Sequence, residues 1–148
     1  GRNPPPDDIY QEGAKHLVRT ATQARSFEEI RDLLHNGYGI SSCGSEGYES
    51  ERDEYGVSRR RGSWAHAMAY IGADDRPETH DKYNGPLICI LNSWGKWNRG
   101  PRKCLNSDIE IPEGAFWTPW KDASRRYAVA FSSVNGWPRK DLPDYNVI

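Results

Sequence analysis

The chain has 148 residues, of which 36% are hydrophobic and 28% are charged, and its formal net charge is −1. This length suits one compact domain, and the near-neutral charge argues against a strongly basic nucleic-acid-binding protein. Six Trp and eight Tyr are more than a disordered chain carries, and the absence of a long apolar run or an apolar leader predicts a soluble protein without a signal peptide or membrane span.

The first predicted elements are a lead-in, a strand and a helix. Residues 1–13 contain three consecutive prolines, which favours an extended lead-in, and residues 16–23 read as a short strand. Ser26 and Glu29 have the spacing of a capping box at the start of a helix. Asn36-Gly37 is typical of a helix end.

Apolar runs separated by polar connections follow the helix and predict an antiparallel sheet. Residues 44–63 are polar and read as a long loop or a twisted hairpin, and residues 74–85 as a charged connection. The predicted strands cover residues 38–43, 65–73, 86–92, 113–117 and 127–132, and a short helix covers residues 119–126. With about five strands and two helices, the fold class is α+β, an antiparallel sheet or partly closed barrel with one main helix. We assign residues 14–137 to this domain and residues 138–148 to a C-terminal tail.

Two apolar runs each contain one polar residue and end in glycine. His66 lies in the run 63–72, and Asn92 lies in the run 86–95. An imidazole and an amide on neighbouring strands can form a hydrogen bond, and the amide then fixes which ring nitrogen faces a reacting group. We therefore predict that these side chains lie within about 2.7–3.2 Å of each other. Trp94 is placed to cover this bond, and Trp64 lies on the same strand face as His66.

Asn92-Ser93-Trp94-Gly95 after a histidine strand resembles the corresponding segments of papain-like cysteine peptidases, and the resemblance covers about residues 26–133. It is closest to a group of bacterial and phage-encoded papain-like proteins. The matching segments are Asn36-Gly37-Tyr38, Cys43-Gly44-Ser45-Glu46-Gly47-Tyr48, Trp64-Ala65-His66, Leu91-Asn92-Ser93-Trp94-Gly95 and Phe116-Trp117. The resemblance implies the C-terminal half of the papain-like fold, and amide hydrolysis through an acyl-thioester without a cofactor. His66 would be the general base and acid, and Asn92 would orient it.

The resemblance also implies a nucleophilic cysteine on a helix well before the histidine segment, but residues 1–42 contain no Cys. We expect that helix on an upstream or partner polypeptide segment, and we expect the isolated chain to hydrolyse no peptide. The alternative is a non-catalytic structural or binding module, for instance in a phage virion assembly. In either case, an apolar face around Trp64, His66 and Trp94 is expected to be covered by a partner.

Other candidate sites are weaker on physical grounds. Cys43 is an alternative nucleophile, but it follows a strand and precedes an acidic run, which would raise its pKa. Cys89 reads as a small buried hydrophobe. A metal site would have to combine His66, His80 and Cys43 or Cys104, and these residues lack ligand spacing. The run 59–61 reads as a solvated arginine face, and acidic loops disfavour nucleic acid as a partner.

Overall fold

A computed structural model describes Pro4 and residues 6–133, and the predicted tail 138–148 lies outside the described residues. Its helices are α1 (Asp7–Gly13), α2 (Phe27–His35), α3 (Pro77–Tyr83) and α4 (Trp120–Ala123). Its strands are β1 (Val18–Ala24), β2 (Gly39–Tyr48), β3 (Arg60–Asp74), β4 (Leu87–Leu91), β5 (Ala115–Pro119) and β6 (Tyr127–Ser133). None of the helices in this part of the chain is long and apolar enough to span a membrane.

The six strands form one sheet in the order β1-β6-β2-β3-β4-β5, and every pairing between neighbouring strands is antiparallel. The predicted class, α+β with an antiparallel sheet, is therefore confirmed. The sheet is open rather than partly closed, because β1 and β5 stand at its two edges. The described residues hold six strands, one more than the count of about five, because the segment 16–23 does form β1; of the four helices, α1 and α3 were not predicted.

Helix α2 begins and ends where the sequence predicted. The Ser26 hydroxyl accepts a hydrogen bond from the backbone N–H of Glu29 at 3.1 Å, which satisfies one of the free donors of the first turn. Gly37 has a φ of +78°, a left-handed conformation that suits glycine after a helix end. Phe27 and Ile30 are buried, so the helix lies with its apolar side on the sheet.

Two segments predicted to lack regular structure contain helices. The extended lead-in is wrong for residues 7–13, which form α1. Asp7 and Asp8 lie in its first turn, where carboxylates favour a helix N-terminus. The connection 74–85 contains α3, which starts at Pro77, a position where proline needs no hydrogen-bond donor.

The polar segment 44–63 is a hairpin with long arms rather than an irregular loop. Strand β2 runs to Tyr48 and β3 starts at Arg60. Their register shifts twice, once between Gly44 and Glu46 and again before Tyr48. These irregularities lie beside His66, which pairs with Gly44.

The two sides of the sheet are covered unequally. Helices α2 and α4 pack on one side, over a core that includes Met68, Tyr70, Ile88 and Ile90. Strand alternation turns Leu87 and Cys89 to the opposite side, where they pack with loop residues. This second cluster also contains Val57, Tyr83, Cys104, Leu105, Ile111, Ala115 and Trp117. The loops therefore cover only the β4–β5 part of that side.

Part of the second side is exposed, and we call this part the outer face. It is formed by Cys43, Ala65, Ala67 and Tyr127, all of which are exposed. Cys43 pairs with Ala67 on one side and with Tyr127 on the other, so the three side chains share one surface. Three of the four side chains of the outer face are small.

Candidate active site

His66 and Asn92 are brought together by the pairing of β3 with β4. These strands are antiparallel neighbours, and Asn92 follows directly after the last residue of β4. His66 Nε2 lies 2.9 Å from Asn92 Oδ1, so the predicted hydrogen bond is present. Because an amide oxygen only accepts, Nε2 donates in this bond, and the lone pair of a neutral imidazole is then on Nδ1. The imidazole is therefore oriented with Nδ1 as its basic atom.

Aromatic rings enclose this hydrogen bond. Trp94 stacks on the His66 ring with centroids 4.6 Å apart and planes at 25°, and the Trp64 ring lies 5.8 Å from the imidazole. Both tryptophans therefore stand where the sequence placed them. Trp94 remains 46% exposed, so its outer surface faces solvent while its inner surface shields the imidazole.

Trp97 is a member of this group that the sequence analysis did not single out. Its ring lies 5.6 Å from Trp94 and 5.8 Å from Trp64. We refer to Trp64, Trp94 and Trp97 as the tryptophan cluster. The spacing Trp-x-x-Trp in the loop after Asn92 was the available signal, since one turn of chain brings such residues together.

The tryptophan cluster is anchored to the buried core. Tyr48 lies 6.1 Å from Trp64 and 5.0 Å from Phe116, measured between ring centroids. Burial raises the pKa of the Tyr48 hydroxyl far above its ordinary value. Gly47 also has a packing role, because a Cβ there would overlap the Arg61 carbonyl and the Trp64 indole. Contacts with the buried core thus fix the position of the tryptophan cluster.

Asn92 is held by the turn that follows β4. Its backbone N–H donates to Gly114 O at 3.2 Å. Gly114 has a φ of +80°, and a Cβ there would lie 2.9 Å from the carbonyls of Asn92 and Gly95. Asn92 is only 3% exposed, and its Nδ2 has no hydrogen-bond partner among the described residues. The amide is therefore committed to His66 through its oxygen alone.

A buried arginine supports the same region and was missed by the sequence analysis. Arg126, between α4 and β6, is 5% exposed and donates to His66 O at 2.6 Å. It also lies 3.9 Å from the buried carboxylate of Glu46. Nothing local in the sequence marks this arginine, because its partners are 60 to 84 positions away.

None of the three cysteines of the chain is brought together with His66. Cys43 pairs with Ala67, the residue after His66, so strand alternation turns its side chain to the opposite side of the sheet. Cys89 is buried as predicted, and burial raises the pKa of its thiol strongly. Cys104 is buried too, and burial raises its pKa. The alternative nucleophile thus lies on the outer face, facing away from the imidazole.

The remaining candidates do not form sites. Within Pro4 and residues 6–133, no three His, Cys, Asp or Glu side chains are grouped so that they could hold a metal ion. Arg59 lies over the Tyr83 ring at 5.3 Å, and Arg60 and Arg61 are exposed. The arginine run is therefore mainly a solvated face.

Comparisons with known proteins give no assignment. The sequence matches no family model, no curated protein matches it, and no solved structure matches the fold. Its function is therefore argued from the site itself.

Proposed function

We propose that this chain is the histidine-and-asparagine half of a papain-like cysteine peptidase, and that another polypeptide segment supplies the nucleophilic thiol. The 2.9 Å hydrogen bond between His66 Nε2 and Asn92 Oδ1 carries the proposal. A histidine used only for packing has no need of an amide that fixes its tautomer and an indole that covers the bond. A general base needs such an orienting group, and a covering indole strengthens the hydrogen bond by excluding water.

The chemistry follows from the free nitrogen. His66 Nδ1 takes the proton of the incoming thiol, and the thiolate attacks the carbonyl carbon of an amide. The imidazolium then gives this proton to the leaving amine, which leaves an acyl-thioester. A water molecule deprotonated by His66 hydrolyses the thioester and restores the thiol. Asn92 holds the ring throughout, and Trp94 limits the access of water to the hydrogen bond.

We place the thiol-bearing segment over the open side of the tryptophan cluster, where Trp94 is 46% exposed and His66 is half-buried. Ala65 and Ala67 flank His66 in β3, and their small exposed side chains form a second surface, on the opposite side of the sheet from the imidazole. A concavity of about 380 Å³ lies beside Asn92 and is lined by Ala67, Ala69 and Leu91 among others. Bare apolar surface next to a functional residue is typical of an interaction site.

The direct test uses the full-length product of the gene and a peptidyl epoxide, a reagent that alkylates activated thiols. We expect the reagent to modify a cysteine other than Cys43, Cys89 or Cys104. The His66→Ala variant should lower the labelling rate by about 10²–10⁴, the usual contribution of a general base. His80→Ala is the matched control, because His80 is exposed on α3, and it should label at the wild-type rate. Labelling that is absent, or that ignores His66→Ala, would reject the peptidase.

A second candidate is a non-catalytic papain-like binding module, for instance in a phage virion assembly. The observation in its favour is that all three thiols of the chain lie away from His66. In that case the outer face would bind an assembly protein, and His66→Ala would leave the affinity unchanged. The same labelling experiment separates the two candidates, because a binding module gives no His66-dependent labelling.

A further inference from the structure

The hydrogen-bond ladder between β2 and β3 is broken at His66. Gly44 pairs with His66, but the next paired residues are Glu46 and Ser63, so β3 contributes one residue more than β2. Such a bulge leaves main-chain groups without their regular partners. Buried carbonyls at the break must be satisfied by other donors, since an unpaired one is costly.

The guanidinium of Arg126 supplies these donors. It bonds to the carbonyls of Ser42 and Glu46 at 3.2 Å each and to the carbonyl of His66 at 2.6 Å. Its Nε donates to the Ser42 hydroxyl at 3.2 Å. One side chain therefore ties both strands together at the break, and its shortest bond is to His66.

The charge of Arg126 is matched inside the protein. Its side chain is 0% exposed, and the carboxylate of Glu46, 8% exposed, lies 3.9 Å away. Gly44 makes room for this pair: a Cβ there would overlap the Glu46 carboxylate and lie 3.0 Å from Arg126 Cγ. A buried ion pair seldom adds net stability over an apolar pair, so stability alone does not account for it.

We propose that Arg126, neutralised by Glu46, is a positioning residue for His66. Its hydrogen bond to the His66 carbonyl holds the backbone in place at the bulge. This fixes the position of the His66 Cα, and with it the distance from the imidazole to Asn92. Arg126 does not touch the reacting atoms. The proposal rests on the proposed function only in taking the imidazole to be a base. Its test is independent of that function, because it measures the hydrogen bond of the imidazole.

The test is nuclear magnetic resonance of the isolated chain with ¹⁵N-labelled histidine. In the wild type, the proton on His66 Nε2 should give a signal in slow exchange with water, because it is hydrogen-bonded and covered by Trp94. We expect Arg126→Lys to accelerate this exchange by about tenfold or more, or to abolish the signal, in molecules that remain folded. Tenfold corresponds to about 1.4 kcal/mol, the scale of one hydrogen bond.

Arg52→Lys is the matched control. Arg52 is also buried and donates to three carbonyls, those of Asn98, Gly100 and Ala115, but makes no bond to His66. It should lower the stability of the protein and leave the His66 signal unchanged. An unchanged signal in Arg126→Lys, or an equal change in Arg52→Lys, would overturn the proposal in favour of general structural support.

A milder pair of variants covers the case in which Arg126→Lys does not fold. Ser42→Ala removes the acceptor for Arg126 Nε, whereas Ser58→Ala removes an equally buried hydroxyl that bonds to Glu51. We expect faster exchange of the His66 proton only in Ser42→Ala, and equal rates in the two variants would contradict the proposal. None of these signals depends on activity. If the thiol labelling rejects the proposed peptidase, these signals are still expected to respond to Arg126. If the signals do not respond to Arg126, the expected thiol labelling is unaffected.

Discussion

Removing the Asn92 side chain should cost little stability, because the amide contains one satisfied and one unsatisfied polar atom. Its Oδ1 accepts from His66, and a hydrogen bond of this kind contributes about 1 kcal/mol net. Its Nδ2 is buried without a partner among the described residues, which costs about 1–3 kcal/mol. Asn92→Ala loses the first contribution, relieves the second and leaves the half-buried His66 Nε2–H without its acceptor, which costs about 1 kcal/mol, so the three contributions nearly cancel. We expect the free energy of unfolding to change by less than about 1 kcal/mol.

The measurement is urea unfolding at pH 7, followed by tryptophan fluorescence. Ile88→Ala is the reference for a structural loss, because Ile88 is 0% exposed in β4, the strand that precedes Asn92. Such truncations cost about 2–5 kcal/mol. The same Asn92→Ala protein should lose the slowly exchanging proton on His66 Nε2. A loss of stability comparable to that of Ile88→Ala would show that Asn92 is a structural residue, and would refute the argument that its amide serves the imidazole.

Three further predictions concern charge, thiols and packing. Burial opposes ionisation of Asp74, but hydrogen bonds from Arg76 outweigh it and hold the pKa of Asp74 below its ordinary value. Asp74→Asn should therefore lower the free energy of unfolding by about 1–2 kcal/mol at neutral pH, a value reduced to allow for the exposure of Arg76. In urea titrations, the difference in stability between wild type and variant should shrink as the pH falls below about 4. A difference that does not change with pH would contradict this. Iodoacetamide followed by mass spectrometry should modify Cys43 in the native chain at a rate unaffected by His66→Ala, whereas rapid alkylation lost in that variant would make Cys43 the nucleophile. Gly47→Ala should lower the free energy of unfolding, measured in urea, by about 1–3 kcal/mol, because the added methyl group overlaps fixed backbone. An unchanged stability would show that the Trp64 ring and the backbone around it can move.

Local patterns predicted those parts of the structure that local physics controls. The Ser26 cap and the Gly37 end of α2 lie within a few residues of the groups that they satisfy. His66 and Asn92 were recognisable because each is a single polar residue in an apolar run, and the antiparallel pairing of two such runs leaves little freedom in their placement. The catalytic roles assigned to them remain predictions.

Long-range contacts account for what the sequence did not reveal. Arg126 looks like a surface residue in a row of charged and polar residues, and only the folded sheet brings it to His66. The bulge at Gly44 depends on the register between β2 and β3. Alternation of apolar and polar residues does not determine this register, because β2 contains several glycines and serines. In α1, the prolines suggested extended chain, but they end before Asp7 and no longer restrain the residues that follow.

A catalytic base must be held in place and yet remain accessible to the group that it deprotonates. His66 is held by Arg126 at its carbonyl, by Asn92 at Nε2 and by Trp94 on the ring face. The ring is not fully enclosed, because His66 is half-buried and Trp94, which covers it, is 46% exposed. We expect a thiol-bearing segment to approach from this open side of the tryptophan cluster, since the outer face lies across the sheet from the imidazole. Without such a segment, the oriented imidazole and the exposed tryptophan over it would be two unrelated features of one site, whereas a split active site explains both.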